Sequence, residues 1–127
     1  MLLTLHTEGY FDACHHLENY KGACANKHGH TYKVEVWVKG KSTDLDEAGI
    51  MWDFGKLKKI LKDFDHCDLN DYMKTSKDEF TDCNSTAENL SMIVYNILSN
   101  TDDHLKFKVR LYEQIAPKES YCEYGDW

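Results

Sequence analysis

The stretch His28-Gly29-His30-Thr31-Tyr32-Lys33-Val34-Glu35-Val36-Trp37-Val38 decides how this chain is read. From Tyr32 to Val38 the even positions are Tyr, Val, Val and Val, set against Lys33, Glu35 and Trp37. A period of two rich in β-branched residues predicts a half-buried strand. His28 and His30 share the phase of the apolar set, so both imidazoles project to the side the core occupies. Upstream, the odd positions from Leu3 to Ala13 run Leu, Leu, Thr, Gly, Phe, Ala, a second strand whose apolar phase His15 extends. If the two strands pair, three imidazoles converge. Gly29 between two of them would permit close backbone approach.

Downstream, Asp53 stands as an N-cap before Phe54, Leu57, Ile60, Leu61 and Phe64, an apolar stripe at helical spacing that predicts a helix to about Asp65. Ser85-x-x-Glu88 has the form of a capping box, and Leu90, Ile93, Val94, Ile97 and Leu98 supply the buried face of a second helix. Leu105, Phe107, Val109 and Leu111 then alternate with Lys106, Lys108 and Arg110, and Ser120 to Tyr124 forms a weaker last strand. The order strand, strand, helix, helix, strand, strand predicts an α+β fold, an antiparallel four-stranded sheet with both helices on one face. So short a sheet leaves open edges, and pairing them between subunits would close a barrel.

With 127 residues, 42% of them hydrophobic, and a single proline, the chain predicts one domain over residues 1–127 with no linker. No apolar run nears the roughly 20 residues of a membrane span, and Met1-Leu2-Leu3-Thr4-Leu5-His6 lacks the regions of a signal peptide. Five cysteines without a C-x-x-C pair suit free thiols in a reducing compartment, so the expected location is cytoplasmic. A net charge of −7 argues against nucleic acid as a partner. The run Lys56, Lys58, Lys59, Lys62 reads as the solvated face of the first helix.

Neutral imidazole suits zinc, and three protein ligands leave a fourth position for substrate or water, the arrangement of a catalytic site. An isolated H-x-H is more often accidental. A closed structural site of Cys14, Cys24, His28 and His30 is a second reading that spacing alone leaves open.

Six landmarks in order carry a resemblance: Phe11-Asp12-Ala13-Cys14-His15, Cys24-Ala25-Asn26-Lys27-His28-Gly29-His30, Gly49-Ile50-Met51-Trp52-Asp53-Phe54, Asp65-His66-Cys67-Asp68-Leu69-Asn70, Thr86-Ala87-Glu88-Asn89-Leu90 and Tyr112-Glu113. Together they resemble the 6-pyruvoyltetrahydropterin and 6-carboxytetrahydropterin synthase family. The short interval from Cys24 to His28 looks like the bacterial carboxy branch. The resemblance implies a tunnelling fold assembled as a homo-oligomer, commonly a hexamer built as a dimer of trimers, with active sites between subunits. It also implies a lyase that converts 7,8-dihydroneopterin triphosphate and water to 6-carboxy-5,6,7,8-tetrahydropterin, acetaldehyde and triphosphate, toward queuosine and other deazapurines.

Carried over by position, His15, His28 and His30 would hold one Zn2+ per subunit, and Cys24 would accept a proton as thiolate. His66 would act as acid and base with Asp65 in support. Glu113, in phase with Leu105 to Leu111 and so placed where a buried side chain is expected, would pair with the guanidine-like edge of the pterin. Thr86 joins it as a substrate-binding position, although capping explains Glu88 equally well. His6, His16 and His104 fall outside the pattern. The chain departs from it at Ser85, where proline usually precedes the threonine, and at Gln114, where threonine is common. Two rivals stand beside this reading: a 6-pyruvoyltetrahydropterin synthase, and a non-enzymatic module stabilised by structural zinc.

Overall fold

The computed structural model describes residues 1–127. Its sheet is built from β1 (Leu2–His15), β2 (His28–Lys41), β3 (Cys67–Asp68), β4 (Lys106–Gln114) and β5 (Ser120–Gly125), in the order β3-β1-β2-β4-β5. All neighbours pair antiparallel except β3, which runs parallel to β1. Three helices complete the fold: α1 (Gly55–Lys62), α2 (Leu69–Thr75) and α3 (Ala87–Thr101). The α+β class is as expected, but the expected four strands and two helices become five and three. The two-residue β3 is too short to show a period. α2 is a single amphipathic step, with Leu69 and Met73 buried four residues apart behind an Asp68 cap that accepts the Asn70 N–H.

Side-chain alternation sorts the sheet into two faces. Phe11, Ala13 and His15 of β1, Tyr32, Val34, Val36 and Val38 of β2, and Phe107, Val109 and Leu111 of β4 are buried on the face that meets the helices, in one continuous apolar core. At the centre of that face the rings of Phe11 and Tyr32 stack 4.7 Å apart. α1 lies against β1, α2 against β1 and β3, and α3 against β4 and β5. Gly9 leaves room for α1, since an added Cβ would stand 2.7 Å from Leu61 Cδ1 and that side chain would have to shift.

The helix termini differ in detail from the sequence expectation. α1 stops at Lys62 rather than near Asp65, and its cap position is held by Phe54 and not by the expected Asp53, which stands one residue earlier and accepts the Gly55 N–H at 2.8 Å. At α3 the capping residue is Thr86, whose hydroxyl accepts the Asn89 N–H at 3.1 Å, so the expected Ser85-Glu88 box does not form. Ser85, released from the cap, is fully buried and turned toward β1. The outward edge of β1 pairs with no strand before Ala13, and β5 forms the opposite free edge. No helix is long and apolar enough to cross a membrane.

Candidate metal centre

β1 and β2 pair so that His15 lies directly opposite His28, and Ala13 opposite His30. Because His28 and His30 are two residues apart on one strand, all three rings share the core face at one end of the sheet. Ring centroids are 4.7 Å apart for His15 and His28, 4.7 Å for His28 and His30, and 5.2 Å for His15 and His30. The strand register therefore brings together the three imidazoles singled out from sequence. Gly29 is not sterically required between them, since a Cβ there would meet the Ala13 carbonyl oxygen at an ordinary 3.7 Å.

Hydrogen bonding settles which ring nitrogen each of two histidines has free. His28 Nδ1 lies 2.6 Å from the Asn26 carbonyl, and His15 Nδ1 lies 3.0 Å from the Ser85 carbonyl. A carbonyl only accepts, so in both rings Nδ1 carries a proton, and the neutral ring then has its lone pair on Nε2. The Nε2 atoms of His28 and His30 are buried and have no hydrogen-bond partner. Burial pushes the pKa values of His15 and His30 below the usual imidazole range, so neutral, ligating forms are favoured.

Glu113 continues the inward phase of β4 and reaches this cluster from the third strand. Its Oε1 is 3.3 Å from His30 Nε2 and 3.9 Å from His15 Nε2, close enough for charge interaction although not aligned as a hydrogen bond to His30. One donor atom from each of His15, His28, His30 and Glu113 lies within 4.8 Å of the others. Ligands around a tetrahedral ion at about 2.0–2.1 Å stand roughly 3.3 Å apart, so a small inward movement of side chains would let these donors share one ion. Unpartnered buried nitrogens, neutral imidazoles and an adjacent carboxylate fit a zinc-type ion.

The closed alternative does not form. Cys14 is out of phase with His15 and projects to the opposite side of β1, where its thiol points toward the Cys67 carbonyl at 3.8 Å. Cys24 sits on a short 3-10 turn, Ala23–Ala25, partly buried, and its sulfur lies outside the donor cluster.

Asp65 and His66 form a second, separate group with Asp12. The Asp65 carboxylate accepts the Asp12 N–H at 2.9 Å and pairs with His66 Nδ1 at 2.9 Å, while the His66 N–H binds the Asp12 carbonyl. The Asp12 N–H, aided by His66, holds the Asp65 carboxyl below the usual carboxylate range. His66 adopts a left-handed φ of 58° and its side chain is 80% exposed. The dyad expected from sequence is thus formed; His66 is largely exposed and shares the lining of an open pocket with His30, while neither residue joins the donor cluster of the three imidazoles. Thr86 spends its hydroxyl on the α3 cap.

The model of the 6-pyruvoyl tetrahydropterin synthase family matches residues 4–125. The chain belongs to that family. A Bacillus subtilis 6-carboxy-5,6,7,8-tetrahydropterin synthase is 35% identical over 107 residues, covering 81% of this chain and 70% of that protein. A Pyrococcus horikoshii protein is 47% identical over 57 residues, but the match spans only 44% of this chain and 34% of that protein. Among solved structures, the Caenorhabditis elegans 6-pyruvoyl tetrahydropterin synthase superposes with a TM-score of 0.73 at 25% identity, covering 100% of this chain and 97% of the other. Membership of the 6-pyruvoyl tetrahydropterin synthase family sets the activity within pterin-related synthase chemistry.

Within this family frame, sequence reasoning missed the residues that hold the site in place. Asn70 accepts the His16 N–H at 2.9 Å and donates to the His16 carbonyl at 3.1 Å, and Asn84 makes the same pair of bonds with Glu18 at 2.9 and 2.8 Å. Between them the Leu17 N–H binds the Cys24 carbonyl at 2.8 Å. Two side-chain amides thus act as short substitute strands for the segment that follows His15 and fix the turn bearing Cys24. Lys27 adds an ion pair with Asp68 at 2.7 Å. Nothing local in the sequence ties Asn70, Asn84 and Asp68 to what they bind, because each is more than forty residues away from its partner backbone or charge.

Proposed function

We propose that this chain is a zinc-dependent 6-carboxy-5,6,7,8-tetrahydropterin synthase, a lyase that takes 7,8-dihydroneopterin triphosphate and water to 6-carboxytetrahydropterin, acetaldehyde and triphosphate in queuosine biosynthesis. The observation that carries the reading is the pair of buried, unpartnered Nε2 atoms of His28 and His30 beside His15. A buried polar group without a partner is costly, so two such nitrogens retained side by side next to His15 point to a ligand. The name of the Bacillus subtilis relative and the short interval from Cys24 to His28 favour the carboxy branch.

Bound by His15, His28 and His30, zinc would supply Lewis acidity that stabilises negative charge on the oxygens of the pterin side chain. Glu113 would accept two N–H groups from the guanidine-like edge of the pterin, one on each carboxylate oxygen, and so fix the ring against the imidazoles. Cys24 would remove a proton from the side-chain carbon as thiolate, held in position by the bond between its carbonyl and Leu17. His66, oriented through Nδ1 by Asp65, would present Nε2 to deliver or take up a proton. Its exposure, outside the donor cluster of its own chain, supports a homo-oligomer in which the dyad of one subunit completes the site of another, as expected for a dimer of trimers.

Incubating the zinc-loaded protein with 7,8-dihydroneopterin triphosphate and assaying volatile aldehyde tests the reading. Acetaldehyde in step with triphosphate release is the expected result. Triphosphate release with a pyruvoyl product and no aldehyde would reject the carboxy assignment.

A further inference from the structure

We propose that Ser85 is a positioning residue for His15: its carbonyl and its hydroxyl together hold the ring's Nδ1–H and reserve Nε2 for the metal. The inference rests on the metal reading above.

Both groups are sealed from water, His15 at 1% exposure and Ser85 at 0%. His15 Nδ1 lies 3.0 Å from Ser85 O and 3.0 Å from Ser85 Oγ, a three-centre arrangement in which one N–H is shared by two acceptors. The carbonyl decides the tautomer because it cannot donate. A ring flipped about its bond would put Cδ2–H where the donor stands, and a ring protonated only on Nε2 would set a nitrogen lone pair against that carbonyl, in a site sealed from bulk water. Tyr32 Oη stands 3.4 Å from both ring nitrogens and so favours neither.

The position of Ser85 is itself fixed. It immediately precedes Thr86, whose carbonyl accepts the Leu90 N–H and whose hydroxyl caps α3. The first turn of α3 therefore sets the azimuth of His15 on β1. Among the three histidines this support is graded: His15 has two acceptors on one nitrogen, His28 has the Asn26 carbonyl, and no hydrogen bond engages the His30 ring.

The experiment has two readouts besides turnover. In the metal-free protein labelled with nitrogen-15 at histidine, long-range nitrogen–proton correlation reads the His15 tautomer directly, and Nδ1–H is expected. Zinc affinity is then measured by chelator competition for the unaltered protein and for Ser85→Ala, with circular dichroism to confirm the fold. Supporting partners of metal-bound histidines typically contribute about 10- to 100-fold in affinity, and because the carbonyl remains, a loss of about three- to tenfold is expected for Ser85→Ala. An Nε2–H tautomer in the unaltered protein, or equal zinc affinity in a folded Ser85→Ala, would overturn the inference while leaving the metal reading standing. Should Ser85→Ala not fold, the tautomer of the unaltered protein still decides. An unaltered protein that takes up no zinc would overturn the metal reading and this inference with it.

Discussion

Replacing His30 by leucine should make the metal-free protein more stable and deprive it of its response to zinc. The His30 ring makes no hydrogen bond, and its buried Nε2 has no partner. An unsatisfied buried polar atom costs about 1–3 kcal/mol, and replacing it by an apolar group of similar shape relieves that cost. The change also removes the contact with Glu113 Oε1 at 3.3 Å, but Glu113 is 29% exposed and water can take the place of the imidazole, so the loss is about 0–1 kcal/mol. A net gain of about 1–2 kcal/mol follows, or roughly 3–8 °C in Tm for a chain of this size. In the unaltered protein, zinc held at a hundred times its Kd should add about 2.7 kcal/mol, roughly 10 °C. Calorimetric melts with chelator and with zinc, for both proteins, check the four values. A metal-free His30→Leu protein less stable than its parent, or one that still gains 10 °C with zinc, would refute the reasoning.

Cys24→Ala should keep zinc bound and lose turnover, since the sulfur lies outside the donor cluster; metal analysis beside the aldehyde assay separates the two effects, and loss of zinc would place the thiol among the ligands. Glu113→Gln should weaken binding of a pterin at least tenfold in a titration while zinc content stays at one per chain; unchanged affinity would remove the anchoring role. On the helix-free face, the buried Glu35 receives the Tyr112 O–H at 2.5 Å and stands 2.8 Å from His6 Nε2. Burial alone would raise the Glu35 carboxyl, but Tyr112, His6, Lys33 and Arg110 together hold it below the usual glutamate range. A depressed carboxyl contributes stability that is fully present above the ordinary glutamate value and is lost as pH falls through the folded-state value. Glu35→Gln should accordingly melt lower near pH 7 and show a shallower decline on the acid side, followed by thermal melts between pH 7 and pH 3; an unchanged acid limb would remove Glu35 from that linkage.

Much of the fold was legible because β1, β2 and β4 each bury one face, and alternation writes such a face directly into neighbouring residues. The same signal placed His15, His28, His30 and Glu113 inward, since each continues the phase of its strand. Elements with no room for a period escaped: β3 has two residues, and α2 shows only Leu69 and Met73. Ser85 was misread as a cap because the pattern S-x-x-E is satisfied equally well by the next residue acting as the cap in its own right, and only the path of the chain shows that Thr86 takes that role.

Residue order alone fixed which side chains point inward, which residue types could ligate an ion, and the family to which six spaced motifs belong. These are local properties, set by backbone geometry over a few bonds. Only the folded chain decided that β1 and β2 pair in the register that sets His15 opposite His28, that Ser85 closes on the far side of His15, and that Asp65 and His66 pair outside the donor cluster. Each of those depends on where segments up to seventy residues apart come to rest, and that is determined by the packing of the whole core.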